Sequence, residues 1–361
     1  MNKKIKTLII AGGTGGHVFP GYNLALHLEK TNFEIEIITD KRGFLFLKKF
    51  RNFKITILPS SPMQTKNLYS IVNSLAINFY SIIRSLILLL IHRPKIIFGM
   101  GGYASFPICI AAAILRIEFI IYENNLIIGK SNKYLLPFAK KILVSFKELE
   151  GIPKKYNNKV YEIGNIIKKE IINLSRDNIQ NKKIEKLSIL VLGGSQAAKI
   201  FAEILPNIFK QCLLNGIPIK VYQHCLPEQT EYLNSFYKNE NIDFEIFNFS
   251  DNLNDFFKKT NLAITRSGSS ILAELTNANV PFISIPLPSS AYNHQLKNAL
   301  YYKKRNFSFL VEEKDCEKKL FYLIKEIYEN KTLLETIRLQ QSQFSDKNVY
   351  KNLDDIINKS I

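Results

Sequence analysis

The sequence predicts an α/β protein of two Rossmann-like domains, each a parallel sheet covered by helices. Two observations carry that expectation. Short apolar runs end in glycine-rich turns that lead straight into helical patterns, and strands alternating with helices make parallel sheets. The same opening recurs in the second half of the chain, giving each domain its own start. At 361 residues the chain can bury two cores of ordinary size.

Thr7 to Ala11 is a strand-length apolar run, and Gly12-Gly13-Thr14-Gly15-Gly16-His17 follows at once. A helical pattern begins near Gly21, with Leu24 and Leu28 on one face. Ile35 to Thr39 reads as a second strand. Lys95 to Phe98 reads as another, closed by Gly99-Met100-Gly101-Gly102-Tyr103, and Phe119 to Tyr122 as a further one, closed by Glu123-Asn124-Asn125. The pattern restarts at Leu187 to Leu192, which ends in Gly193-Gly194-Ser195-Gln196 before a helix from about Ala197. Leu262 to Thr265 runs into Arg266-Ser267-Gly268-Ser269-Ser270 and a helix near Ile271 that carries Glu274. Asn, Lys and Glu become dense between Gly164 and Lys186. That places a first domain over 1–165 and a second over 166–361, with the last helix able to pack back on the first. Ligands of open α/β sheets bind beyond the carboxyl ends of the strands, where all these turns sit, so the domains are expected to face each other across a cleft.

A net charge of +18 and a pI near 9.5 admit nucleic acid, an anionic membrane surface or a pyrophosphate as partner. Lys, Asn and Ile are crowded throughout, as in sequences from AT-rich genomes, so part of the excess is compositional. The basic residues are dispersed and form no nucleic-acid-binding motif, which argues against nucleic acid. Cys109, Cys212, Cys225 and Cys316 show no Cys-x-x-Cys spacing and read as reduced thiols of a cytoplasmic protein. The basic start from Met1 to Lys6 precedes an apolar run too short for a signal peptide.

Leu68 to Ile91 is long enough to suggest a bilayer span. Asn73, Ser74, Asn78 and Arg84 interrupt it, and a central Arg costs about 2.5–3.5 kcal/mol on insertion scales. The expectation is a helix packed on the core with surplus apolar surface. Ile71, Leu75, Phe79 and Ile82 would meet a membrane interface, and Lys66, Arg84 and Arg93 its phosphates.

The Gly12 to His17 turn lets the backbone approach a ligand closely, and a helix start behind it favours an anion. Its spacing fits neither the dinucleotide fingerprint nor a P-loop. A tight structural connection is the plain alternative, but four glycines with a Thr and a His favour phosphate or pyrophosphate. His17 either takes a proton from an attacking hydroxyl or donates to a phosphate oxygen, whereas His27, His92 and His224 read as structural. Gly193 to Gln196 and Arg266 to Ser270 repeat the logic, and two helix starts in one domain can clamp a diphosphate. Glu274 is placed either to accept from both hydroxyls of a ribose or to sit favourably in a helix dipole. No Asp-x-Asp or His-x-x-x-His appears, so no metal site is expected, and no cofactor.

Together these residues resemble the MurG family of N-acetylglucosaminyltransferases, which form lipid II for peptidoglycan. Gly12 to Gly21, Gly101-Gly102-Tyr103, Glu123-Asn124-Asn125, Gly193 to Gln196, Arg266-Ser267-Gly268, Asn293-His294-Gln295 and Asn298-Ala299 occur in that family's order and spacing over nearly the whole chain. The resemblance implies a GT-B architecture, UDP-N-acetylglucosamine as donor and a lipid-linked muramyl-pentapeptide pyrophosphate as acceptor. It also implies inverting attack by the muramyl C4 hydroxyl. His17 and Glu123 are the implied catalytic residues. The donor positions fall on Thr14, Gly15, Gly16, Asn125, Lys168, Ser195, Ser250, Gln295 and the helix start Ser269, Ser270, Ile271, Leu272, Ala273 and Glu274. The acceptor pyrophosphate falls to Gly13, Thr14, Gly15, Gly16, Gly101, Gly102 and Tyr103. A peripheral place on the cytoplasmic face of the inner membrane follows, because the prenyl chain stays in the anionic leaflet.

The sequence departs from the family at Tyr122-Glu123-Asn124-Asn125, where His-Glu-Gln-Asn is usual, and at Gly164-Asn165-Ile166-Ile167-Lys168, where Gly-Asn-Pro-Val-Arg is usual. Lys168 keeps the charge without the planar fork of Arg. Tyr292 replaces a frequent Asp. Another GT-B transferase that puts a UDP-sugar on a glycolipid is the neighbouring alternative. A nicotinamide oxidoreductase would need a different glycine spacing, and a non-catalytic membrane-binding protein would not need His17, Glu123, Glu274 and Gln295.

Overall fold

Runs of isoleucine, leucine and valine build two parallel sheets, one of seven strands and one of six. Buried on both faces, such strands read as nearly continuous apolar runs; all six residues of Leu187–Leu192 are buried. The computed structural model describes residues 4–50, 52–62, 67–174, 185–248, 250, 253–330 and 332–359, with only the backbone of 195–198. Met1 to Lys3, Lys66, the side chains of Ser195 and Gln196, and 175–184 within the expected boundary stretch lie outside the described residues. The chain divides into two units, Met1–Ile167 with Asp346–Ile361, and Lys168–Ser345.

Unit 1 runs β1 (Ile5–Ile10), α1 (Gly15–Glu29), β2 (Phe33–Thr39), α2 (Lys41–Leu47), β3 (Lys54–Ile57), α3 (Leu68–His92), β4 (Ile96–Gly99), α4 (Ser105–Ile114), β5 (Phe119–Glu123), α5 (Lys130–Leu135), β6 (Lys141–Val144) and β7 (Val160–Glu162). Its strands lie in the order β3-β2-β1-β4-β5-β6-β7. Unit 2 runs α6 (Lys169–Ile172), β8 (Leu187–Leu192), α7 (Gly194–Leu214), β9 (Ile219–His224), α8 (Thr230–Asn239), β10 (Asp243–Phe247), α9 (Leu253–Lys259), β11 (Leu262–Thr265), α10 (Ser269–Asn277), β12 (Phe282–Ser284), α11 (His294–Lys304), β13 (Ser308–Leu310), α12 (Cys316–Glu329) and α13 (Thr332–Gln343). Its sheet is ordered β10-β9-β8-β11-β12-β13. In each sheet the chain reverses direction beside the first strand. The switch points, where ligands of such sheets bind, therefore lie between β1 and β4 and between β8 and β11.

Helix α1 begins at Gly15, not near Gly21 as the apolar pattern suggests, because the last two glycines of the turn already take helical geometry. Pro20 lies inside it and has no N–H to donate four residues back. The Asn124 amide supplies the replacement, donating to the Gly16 carbonyl at 2.7 Å.

Helix α3 inverts the usual amphipathic arrangement. Its buried face is Ser74, Asn78, Ser81, Ser85 and Leu89, while Leu75, Phe79, Tyr80, Ile83, Ile87 and Ile91 are exposed. Small hydroxyl residues let it lie close to α4, and Ser81 donates to the Pro59 carbonyl at 2.6 Å. Ile71 and Ile82 are half-buried, whereas Arg84 and Arg93 are exposed. By length and composition it could cross a membrane; its polar face is instead bonded into unit 1.

After unit 2 the chain returns as α14 (Val349–Asn358), which buries Val349, Tyr350, Leu353 and Ile357 on unit 1. The Tyr350 hydroxyl donates to the Ile167 carbonyl at 2.6 Å, His27 Nε2 stands 2.7 Å from Asp354, and the Asn165 amide donates to Asp346 at 2.8 Å. All four cysteines are buried and unpaired with one another. Burial pushes the thiols of Cys212 and Cys316 up to about 12 and about 11.

Candidate active site

The turn after β1 is built around a carboxylate that the sequence reading missed. Asp40 ends β2 and caps α2, accepting from Gly43 N at 2.8 Å and, across the sheet, from Gly13 N at 2.9 Å. Ser60 and the Arg42 guanidinium complete its shell. Burial opposes ionisation, but the Gly13 and Gly43 amides and the Arg42 charge outweigh it and hold the carboxyl below the usual range. Gly12 must be glycine, since a Cβ would lie 2.5 Å from Ala104 Cβ and 3.1 Å from Asp40. The Gly13 N–H is thus committed to Asp40, leaving Thr14, Gly15 and Gly16 as the part of the turn that can face an anion. Asp directly after a strand and three residues before Gly43 is an N-cap signal, and it was available in the sequence.

His17 follows that turn and packs on the turn after β4. Gly101 and Gly102 have φ of +87° and +73°, and a Cβ on either would lie within 3.3 Å of the imidazole. Only glycine admits both the backbone and the ring. The structure therefore joins His17, Gly101 and Gly102 at the first switch point, with Tyr103 next to them.

Glu123, expected beside His17 as catalytic, takes a different role. One carboxylate oxygen accepts from the backbone and side-chain amides of Asn125 at 3.2 and 3.0 Å. The other accepts from Gly129 N at 2.8 Å and Asn132 Nδ2 at 3.0 Å. A carboxylate with four donors that is 1% exposed holds the 123–132 segment in shape and is poorly placed to receive a substrate proton. The Tyr122 departure also has a structural reason. Its hydroxyl lies 2.7 Å from Ser145 Oγ and accepts from Ile166 N at 3.1 Å, holding the chain as it leaves unit 1.

In unit 2 the turns after β8 and β11 flank the second switch point. Gly194 has φ +65°. The helices behind three glycine turns, α1, α7 and α10, have no side-chain bond at their N-caps Thr14, Gly193 and Gly268. Side-chain caps occur at α2, from Asp40, and α3, from Asn67. Helices α4, α5, α8, α11, α12 and α14 lack them as well, so position after a switch-point strand, and not the missing cap, singles out the glycine turns. An uncapped start presents amide donors and the positive end of the helix dipole. Ser269, Leu272 and Ala273 are buried, so the last two can offer a ligand only their backbone. Gln295 Oε1 accepts from Ser267 N at 3.2 Å and Leu287 N at 3.0 Å, and Asn298 donates to the Ser267 carbonyl at 3.1 Å. With both lone pairs of its oxygen occupied, Gln295 has only its amide hydrogens to offer. Arg266 is buried, donates to the Ile285 and Pro286 carbonyls at 3.2 and 3.3 Å, pairs with Glu313 and lies over Phe201.

Glu274 stands one turn into α10. Loss of solvent raises its carboxyl to about 7, and the charge of Lys168, at the start of α6, works against that rise. Ser250 is half-buried after β10; the Ser195 side chain is outside the described residues.

Two family models cover most of the chain: the glycosyltransferase family 28 N-terminal domain matches residues 7–144 and the family 28 C-terminal domain residues 188–353. A transferase of Pelagibacter ubique named UDP-N-acetylglucosamine--N-acetylmuramyl-(pentapeptide) pyrophosphoryl-undecaprenol N-acetylglucosamine transferase is 35% identical over 98% of this chain and 97% of its own. One of the same name from Rickettsia bellii is 34% identical over 91% and 92%. Among solved structures, MurG of Acinetobacter baumannii superposes with a TM-score of 0.76 at 21% identity, covering 99% of both chains. The S. aureus MnaA–UDP structure gives 0.67 at 16%, covering 98% and 97%; both share the fold.

Proposed function

The chain belongs to the MurG family within glycosyltransferase family 28, and from that premise we propose how its two units divide one reaction. The reaction is inverting transfer of N-acetylglucosamine from its UDP ester to the muramyl C4 hydroxyl of a prenyl-diphosphate-linked muramyl-pentapeptide, giving lipid II. Unit 2 takes the donor. Amide donors at the starts of α7 and α10 bind the diphosphate, Glu274 accepts from the ribose hydroxyls, and Gln295 donates to sugar oxygens. Ser195, Ser250 and Lys168 complete the donor set of unit 2.

Unit 1 takes the acceptor, whose diphosphate meets Thr14 to Gly16 and Gly101 to Tyr103, while Glu123 positions the neighbouring loop. His17 removes the proton from the C4 hydroxyl as that oxygen bonds to the anomeric carbon. The bond from that carbon to the diphosphate oxygen breaks, and UDP departs into the helix starts, where preorganised donors stabilise its charge. The pinning of the His17 ring between two left-handed glycines beside an uncapped helix start is the observation that carries this reading. The exposed apolar face of α3 and the net charge of +18 support a peripheral position on the anionic inner leaflet, at its cytoplasmic side.

A transfer assay with a short-chain lipid acceptor and several UDP-sugars, with and without chelator, tests the assignment. His17→Ala is expected to lower kcat by about 10²–10⁴ while UDP still binds by calorimetry. Normal turnover in that variant removes His17 from the chemistry.

A further inference from the structure

Left-handed backbone marks one turn of unit 2 as unusual. Among the described non-glycine residues with positive φ, Arg93, Arg116, Asn241, Asn279 and Asn306 each follow the end of a helix, where a left-handed residue closes the last turn. Tyr292 and Asn293 do the reverse. They are consecutive, with φ of +53° and +54°, and they precede α11. Asn tolerates that conformation, but a bulky aromatic residue in it is strained. Burial does not offset the strain, because Tyr292 is 62% exposed and makes no hydrogen bond or ring contact among the described residues.

The turn itself is firmly closed. Asn293 N donates to the Ser290 carbonyl at 3.0 Å, His294 Nδ1 to the Ala291 carbonyl at 2.7 Å, and Gln295 N to Ser290 Oγ at 3.4 Å. Glycine would hold the same turn without strain, so a tyrosine there needs a reason outside the fold.

The neighbouring Gln295 narrows that reason. Its oxygen is filled by Ser267 N and Leu287 N, which leaves only amide hydrogens for a ligand. Such donors fix the hydroxyl oxygens of a sugar but leave its C–H edges and acetamido methyl uncovered. An exposed ring on a rigid turn matches that apolar surface. We propose that Tyr292 is a further donor-binding residue, its ring packing against the apolar surface of the N-acetylhexosamine while Gln295 holds the hydroxyls. The inference rests on the transferase reading. It gives the departure from the frequent Asp at this position a part in holding the sugar.

Full-length Tyr292→Phe, Tyr292→Gly and Tyr292→Asn would be compared with the wild type in the short-chain lipid transfer assay and by calorimetry with UDP alone. Gly and Asn accept the left-handed backbone, and Phe keeps the ring. The kcat/KM for UDP-N-acetylglucosamine is expected to fall on the order of tenfold in Tyr292→Gly and Tyr292→Asn. It should hold at the wild-type value in Tyr292→Phe, with the Kd for UDP unchanged in all three. The Tm of Tyr292→Gly should not fall, because the strained residue is gone; a lower Tm would show the ring working for the fold and overturn the proposal. Wild-type kcat/KM in the Gly and Asn variants, an equal loss in Tyr292→Phe, or a parallel loss of UDP affinity each overturns the ring contact alone. A wild type that neither binds UDP nor transfers sugar overturns the transferase reading and the contact with it.

Discussion

Glu274 shows how one side chain ties burial to ligand affinity. Its carboxyl is raised from 4.5 to about 7 by desolvation. A raised acid favours the protonated form in the fold, so ligand-free unit 2 loses stability as pH climbs from about 4.5 towards 7. In the proposed donor complex, ribose hydroxyls would donate to the ionised carboxylate and pull the other way. The affinity for UDP-N-acetylglucosamine is therefore expected to fall about tenfold between pH 8 and pH 6, and Glu274→Gln should flatten the profile. Calorimetry across that range checks it; an identical slope in the variant would assign the titration to another group. The same scale separates His17 from Glu123. Both are polar residues just beyond parallel strands, but one packs against left-handed glycines and the other has its oxygens filled by four protein donors.

Among the elements, α3 carries the clearest division of labour. Serines and Asn78 bond its inner face to unit 1, and its outer face presents large apolar residues to solvent. Such a helix adheres to an interface through buried area and through nearby positive charge. Binding to vesicles rich in anionic lipid is expected to weaken as salt rises, and Leu75→Ser with Phe79→Ser should remove the salt-resistant remainder. Sedimentation with such vesicles measures both; retention of full binding in the double variant would place the contact elsewhere.

For the whole molecule the crossing points of the chain matter most. It leaves unit 1 at Ile167 and returns at Asp346, and Tyr122, Asp346 and Tyr350 bond both passages into unit 1. The four side chains that α14 buries contribute roughly 6–12 kcal/mol by area, comparable with the entire stability of a domain, about 5–15 kcal/mol. A chain ended at Ser345 is expected to lose the cooperative unfolding of unit 1 while unit 2 still binds UDP. Calorimetric scans with and without UDP report it, and an unaltered unit 1 transition would show that α14 is dispensable.

Fold class and the location of the turns were legible from local information. Apolar runs followed by glycines need no distant partner to be recognised, and the turns of both halves fall at the switch points. Helix starts were less legible: α1 begins in the turn itself because Asn124, far along the chain, satisfies the carbonyl that Pro20 cannot. The bond from Gly13 N to Asp40 and the filling of both Glu123 oxygens by protein donors were decided only by the tertiary structure. The reason is physical. Periodicity and turn chemistry are properties of neighbouring residues, whereas the hydrogen-bond complement of a buried group depends on which remote segments the sheet brings beside it.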